Sequence, residues 1–424
     1  MKRIAVPALP ALLLAAYALA TVFRCRPVVF TANFWGEEGR CFAFATSHGW
    51  VDSLLQQASG YYSLWANLAC TVAAKLVPLD GAPTVTMLFA LVAQLATAAI
   101  VVTSEADFWR PPGRKLFGLA IILFAKAGKE VWLSTITSQF HFALAAVLIL
   151  MEPDELPRGR RIALRALLLI GGLTGPPTSL LLPLYLWAFF RSRSRERAVQ
   201  SMILLATGLV QGVSLMLAGD LANRSGETGL FTVTATVWTK IVWAFLGYDT
   251  ARPWAGLLMT IAMWPEKTEA DALAGLLLAA EALIVLFLFL SSSRNVRGIL
   301  LGSCALFLVS SVLFSGGREK IGFIDPRVAS RYQFLPEVTL LLMTLSAADT
   351  WRDRGRRVPA VIAVLLCASG LFHNIREYPE LDFRYHHYYP VWTQEVSKWR
   401  IDPTYQPASW PAGWTVDLSG RPPD

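Results

Sequence analysis

The feature of this sequence that most constrains its fold is a series of apolar runs. Each is roughly 15 to 20 residues long, close to the ~20 a helix needs to cross a hydrocarbon layer. The first ends near Phe23, and the others fall at about 83–103, 115–133, 135–151, 162–174, 177–190, 199–219, 270–290, 298–315, 332–348 and 357–373. Hydrophobic residues make up 54% of the chain and charged residues 16%, against roughly one quarter charged in a soluble domain. These numbers exclude a disordered chain, a soluble nucleic-acid binder and an ordinary cytosolic enzyme. The expected fold is an all-α polytopic membrane protein with about eleven transmembrane helices, outer-surface juxtamembrane helices and a short extracytoplasmic C-terminal tail. With 38 Lys and Arg against 30 Asp and Glu the formal charge is +8, which basic loops at a membrane surface explain without nucleic acid. Ala18-Leu19-Ala20 resembles a signal-peptidase site, but the later spans favour an uncleaved first helix.

Loop charge sets the orientation. One set of loops carries Arg110, Arg114 and Lys115, then Arg158, Arg160 and Arg161, then Arg191, Arg193, Arg195 and Arg197, then Arg294 and Arg297, then Arg352, Arg354, Arg356 and Arg357. With Lys2 and Arg3 this side holds about 18 basic residues in roughly 50 loop residues, the other a similar number in roughly 180. The dense side, and with it the N-terminus, is expected in the cytoplasm; Arg24 and Arg26 locally oppose this and are outvoted. Residues 1–373 then form the membrane domain, with outer segments at 24–82 and 220–269, and 374–424 form an outer tail rich in Trp, Tyr and Pro. The short runs 162–174 and 177–190 meet at Gly175-Pro176-Pro177, a helix-breaking corner that suggests a cavity wall. The stretch 232–248, with Trp238 and Trp243, suits an interfacial helix or else crosses as a pair with 254–264, and 63–77 reads as an outer-surface helix.

The first outer segment holds the most chemistry. Phe34-Trp35-Gly36-Glu37-Glu38-Gly39 sets two adjacent carboxylates after an aromatic pair, bracketed by glycines. A carboxylate held in a short loop at the outer membrane edge can act as general base toward a hydroxyl or amine; a solvated acidic turn is the plainer reading. Ser59-Gly60-Tyr61-Tyr62 follows. Lys126, Lys129 and Glu130 end the third run, and Gln139 and His141 lie in the fourth. They can face an anion or a sugar, although snorkelling lysines and a packing histidine are the commoner uses of such residues. Before the tenth run come Asp325-Pro326-Arg327 and Arg331-Tyr332-Gln333. A guanidinium at a helix start suits phosphate oxygens, or else anchors a lipid head group.

Glu281, mid-span, is a functional candidate by default but reads better as a protonated or hydrogen-bonded bundle residue. Five cysteines without a CxxC pair show no zinc or redox motif. Cys25, Cys41 and Cys70 all fall outside, so a 25–41 disulfide is one option and the pairing stays open. His386-His387 lacks a third placed metal ligand and reads as part of a surface aromatic cluster. No nucleotide-binding or hydrolase motif is present.

Together these segments resemble bacterial integral-membrane glycosyltransferases of the GT-C fold. The likeness rests on Asn33-Phe34-Trp35-Gly36-Glu37-Glu38-Gly39 with Phe42, Gly60-Tyr61, Glu130 with Gln139, Leu173-Thr174-Gly175-Pro176, Arg331-Tyr332 and Pro411-Ala412-Gly413-Trp414-Thr415-Val416. It covers most of the chain. Such enzymes usually carry Asp, or an Asp/Glu pair, in the first outer loop; here both positions are Glu. The resemblance implies an enzyme of the bacterial inner membrane that makes cell-envelope glycans. It moves a sugar from a polyprenyl-phosphate donor to a glycan or lipid acceptor hydroxyl on the outer face, by one inverting displacement. Glu38, or else Glu37, would be the base, and Arg331 with Arg327 and Lys129 would hold the donor phosphate. Glu130, Gln139, His141, Tyr332 and Tyr61 would contact substrate. Some relatives use a divalent cation near the first-loop acid, but this sequence offers no dedicated cage for one. The competing expectations are a lipid or solute transporter using Glu281 and the broken helix, and a non-catalytic envelope-assembly protein docking through its aromatic tail. The polar candidates crowd at the outer ends of spans rather than at the midplane, which favours chemistry over passage.

Overall fold

A computed structural model describes residues 8–57, 60–125, 131–218, 229–263, 267–291, 296–314, 320–328, 330–353, 355–383 and 390–421. Among these the protein is all-α apart from one two-stranded antiparallel ladder, Ala408–Ser409 with Trp414–Thr415. Three helices are long and apolar enough to cross a membrane, within Leu79–Thr103, Arg195–Ala218 and Arg357–Glu377. The pair Arg158–Leu173 and Pro176–Ser192, bent by 119°, makes a fourth if it is one span. The chain divides into two units, each discontinuous in sequence. One comprises Met1–Glu105, Lys129–Ala218 and Phe383–Asp424, the other Ala106–Gly128 and Gly219–Asp382.

The first unit is built around the Ser138–Met151 helix, whose residues are all buried. A helix apolar on every side belongs in an interior, and Ala82–Thr103, Arg158–Leu173 and Pro176–Ser179 pack against it. The Arg195–Ala218 helix inverts the polarity of a soluble one. Glu196, Gln200, Ser201, Thr207, Gln211 and Ser214 are buried, while Met202, Leu209, Val213 and Met216 are exposed, Met216 at 80%. In water that outer stripe would be a large apolar patch; against lipid it is the favourable face. Its 24 residues rise about 36 Å, enough for a ~30 Å hydrocarbon layer. The dense basic loops are partly paired: Arg160 with Glu152 at 2.8 Å, Arg197 with Asp154 at 2.7 Å, and Arg165 with Glu196 at 2.5 Å. Arg24, which opposed the charge rule, is buried with its guanidinium over the Trp132 ring at 4.4 Å, so it is no loop charge at all.

The expected first outer loop is instead a helix, Gly36–Ser47, whose N-cap is Trp35. The C-terminal segment packs onto it. Phe34, Phe42, Cys41, Cys70, Leu79, Trp392, Val396, Trp399, Val416 and Leu418 form one buried cluster. A side chain at Gly36 would strike the Trp414 indole, and one at Gly39 would strike Val416. The two glycines are therefore helix positions pressed by the tail rather than turn residues. Residues 390–421 thus belong to the first unit and do not stand apart from it. All five cysteines are buried and none forms a disulfide. The 25–41 bridge is absent because Cys41 faces the Leu64–Leu76 helix, with its sulfur near Ala66 O (3.7 Å) and Asn67 Oδ1 (3.6 Å).

Two further expectations change. The runs at 115–133 and 135–151 contain helices only over Pro112–Phe124 and Ser138–Met151, because 131–137 is a buried polar turn. In the second unit, 232–248 is not an interfacial helix. The Leu230–Leu246 helix is buried over most of its surface against Tyr248–Ala262, Lys267–Ser291 and the Lys320–Ile324 turn. Trp243 is fully buried, and its Nε1 donates to Glu377 Oε2 at 2.9 Å instead of marking a membrane interface. Helices Arg297–Phe314, Phe334–Asp353 and Arg357–Phe383 complete this unit.

Candidate functional site

In the first unit the site starts at the N-terminus of the Gly36–Ser47 helix. Glu38 is its third residue, the position from which a carboxylate reaches back to the cap. Its Oε2 accepts the Trp35 N–H at 3.0 Å. Its Oε1 accepts the Thr135 hydroxyl at 2.6 Å and also the Thr135 N–H. The side chain is 2% exposed. Burial pushes the carboxyl above its ordinary pKa, while the hydrogen bonds from Thr135 and Trp35 pull it down. Glu37 is only half-buried and makes no hydrogen bond among the described residues.

Thr135 sits in the turn that precedes the buried helix. Leu133 there has φ 55°, the left-handed region that a branched side chain rarely adopts. Such backbone persists only where its surroundings enforce it, and it is commoner at functional sites. Four residues past Thr135, Gln139 donates through Nε2 to the Tyr61 hydroxyl at 2.8 Å and to Ile136 O at 3.1 Å. The Gln139 amide oxygen occupies the space that a side chain at Gly175 would fill, and Gly175 has φ 142°, so only glycine fits the corner. Ser63 Oγ donates to Thr174 O across the same corner at 3.4 Å. Segments 35–38, 61–63 and 174–175 therefore all close on 135–139.

His141 lies deeper. It is fully buried, with Nε2 3.2 Å from Val131 O and its ring edge-on to Trp132, so it packs the interior and reaches no substrate-accessible surface. Lys129 and Glu130 lie outside the described residues, as do Lys126, Ser59 and the His386-His387 pair. No group of three or more His, Cys, Asp or Glu among the described residues is placed to hold a metal.

Arg327, Arg331 and Tyr332 belong to the second unit. Arg331 and Tyr332 lie in the short turn Ser330–Gln333 that leads into the Phe334–Asp353 helix, with the guanidinium 5.3 Å from the Tyr332 ring centroid. The exposed Arg327 stacks on Tyr248 at 3.7 Å, and its N–H donates to Asp325 Oδ1 at 2.9 Å. Gln333 is buried and donates to Lys240 O at 3.0 Å.

Sequence reasoning passed over Thr135 and Lys240. The run Ser134-Thr135-Ile136-Thr137-Ser138 signals the turn, and one lysine inside an otherwise apolar helix signals the second. No protein-family model, curated protein or solved structure matches the chain.

Proposed function

We propose that the protein is a membrane glycosyltransferase that moves a sugar from a polyprenyl-phosphate donor to an acceptor hydroxyl. The supporting observation is the closure of three separated segments, the first-helix acid, Tyr61 and the Gly175 corner, on residues 135–139. In this reading Glu37 is the general base and Glu38 the positioning residue that fixes the helix start beside it. Three donors already bind the buried Glu38, whereas Glu37 is half-buried and carries no hydrogen bond among the described residues. Glu37 takes the acceptor hydroxyl proton as the oxygen bonds to the anomeric carbon. The bond from that carbon to the phosphate oxygen breaks, and the lipid phosphate leaves with its electrons. Tyr61 and Gln139 supply hydroxyl and amide groups suited to sugar hydroxyls. Arg327 and Arg331 remain candidate phosphate ligands from the resemblance alone, and the base assignment stands without them.

The finer topology belongs to the same proposal. Eleven crossings require the shorter apolar helices, Leu9–Arg24, Ser138–Met151, Ala272–Leu288 and Arg297–Ser310 among them, to cross as well. An N-terminus in the cytoplasm and a tail outside follow from loop charge.

Purified protein with a radiolabelled polyprenyl-phosphate sugar tests the chemistry. Glu37→Gln is expected to lose transfer by about 100-fold or more, within the range of general-base catalysis, and to keep donor binding. Wild-type transfer by Glu37→Gln removes this base. Loss of transfer in Glu38→Gln with unchanged thermal stability hands the role to Glu38.

A second reading, a transporter, draws on Glu281. It is buried in the Lys267–Ser291 helix with Oε1 lacking a hydrogen-bond partner. Ion-coupled uptake in proteoliposomes that disappears in Glu281→Gln would favour it.

A further inference from the structure

Two of the buried cysteines face each other across a helix pair. Cys41 lies on the Gly36–Ser47 helix and Cys70 on the Leu64–Leu76 helix. Both are fully buried, in the same cluster as Trp392, Val396 and Val416 of the C-terminal segment. A helical side chain leans toward the N-terminus of its own helix, so each sulfur sits over the turn before its Cα. Cys41 Sγ lies 3.7 Å from Ala66 O, one turn before Cys70. Cys70 Sγ lies 3.7 Å from Glu38 O, one turn before Cys41. Each thiol therefore reaches the place that the other overhangs, and the two side chains hydrogen-bond to one another.

The segment between them is tied to both helices. Gln56 Nε2 donates to Cys41 Sγ at 3.0 Å and to Cys41 O at 3.2 Å. Asn67 Nδ2 donates to Gln56 O at 2.9 Å and to Leu54 O at 3.0 Å. The two sulfurs are thus held on a frame fixed from both sides. Cys304 and Cys367, in the other unit, turn instead to the main-chain oxygens of Pro336 and Leu341.

We propose that Cys41 and Cys70 are joined by a disulfide in the mature protein, formed by exchange with a carrier protein's disulfide in an oxidising envelope compartment. One cysteine attacks as thiolate and forms a mixed disulfide with the carrier, and the second then displaces the carrier's sulfur. Two S–H bonds are lost and one S–S bond forms, while the carrier takes up two electrons and two protons and leaves as a dithiol. A thiol sealed in an apolar interior is inert, so the exchange precedes the docking of residues 392–418. The bond clamps the helix that carries Glu37 and Glu38 to its neighbour. The oxidant rests on the outer placement of residues 24–82, which the experiment reads separately.

Full-length protein is expressed in the inner membrane of a bacterial host, trapped with N-ethylmaleimide in denaturant and analysed by mass spectrometry. Three of the five cysteines, Cys25, Cys304 and Cys367, are expected to be alkylated without reduction and all five after it. The non-reduced digest should contain a peptide pair linked through Cys41 and Cys70. Cys41→Ser and Cys70→Ser should each leave every remaining thiol open to alkylation. Reduction should lower the melting temperature of the wild type and leave that of the double variant unchanged. Alkylation of all five cysteines without reduction, or a link from either residue to Cys25, overturns the proposal. A membrane-impermeant maleimide applied to spheroplasts bearing Asp52→Cys, an exposed position of the same segment, reports its side of the membrane. Label there without a 41–70 link defeats the disulfide alone. A linked pair without that label keeps the disulfide and removes the topology.

Discussion

Glu37 and Glu38 are chemically identical neighbours that the helix turns to different surroundings. Successive helical positions point about 100° apart, so one carboxylate enters the interior and meets Thr135 while the other stays accessible. Glu38→Ala strands two buried amide donors, Trp35 N–H and Thr135 N–H. A loss of about 2–4 kcal/mol of stability is expected, against about 1.5–3 kcal/mol for Thr135→Ala, which removes one bond to a charged group. Thermal and denaturant unfolding of the purified variants measures both, and equal wild-type stability of Glu38→Ala would contradict the positioning role. The paired acids were legible in the sequence, but their division of labour was not. It depends on a turn about 100 residues away that only folding brings near. The flanking glycines were legible too, for the wrong reason: nothing near Gly36 announces that Trp414 will lie against it.

The long spans and the proline corner could be read directly because hydropathy and backbone chemistry are local. The 119° bend falls at Gly175-Pro176 as the sequence implied. The 131–137 turn was hidden because Val131-Trp132-Leu133 continues the apolar pattern across it. Likewise the Leu230–Leu246 helix has the composition of an interfacial segment, and only its neighbours reveal that it is buried against the helix that follows it, as the paired alternative required. The Trp392–Ile401 helix carries its own pH response. Glu395 accepts bonds from Lys398 Nζ, the Tyr405 hydroxyl and the Ala408 N–H. Burial would raise its pKa, but these partners together hold it below the usual value. The folded value lies below the unfolded one, so this stabilisation is complete above the unfolded pKa of about 4.3 and is lost as the pH falls through the folded value. Hydrogen exchange of amides 393–400 should accelerate on acidification in the wild type. In Glu395→Gln it should be fast already at pH 7 and change little.

At the scale of the whole molecule, the chain leaves the first unit after Glu105, returns at Lys129, leaves again after Ala218 and comes back at Phe383. Such a path has no sequence signature, because hydropathy reports that a helix is apolar and not which helices it joins. The apolar runs therefore pointed to an all-α protein with membrane-length helices, three or four of which the structure contains, but could not have given its partition. The return of the tail is energetically substantial. Trp392 is 1% exposed, stands edge-on to Phe34 at 4.9 Å, and donates from Nε1 to Leu79 O at 2.8 Å. Trp392→Ala is expected to cost about 3–5 kcal/mol, and protease susceptibility of residues 36–47 should rise with it; unchanged protection there would mean the 390–421 segment and the helix fold independently.

That docking has a consequence for biosynthesis. Phe34 and Phe42 leave the ribosome hundreds of residues before Trp392 and Val416, the groups that cover them. Throughout elongation the helix bearing both acids has an open apolar flank, available to chaperones or to surveillance proteases. Synthesis of residues 392–418 is then the event that closes it, so a translation product that stops before them keeps that flank open.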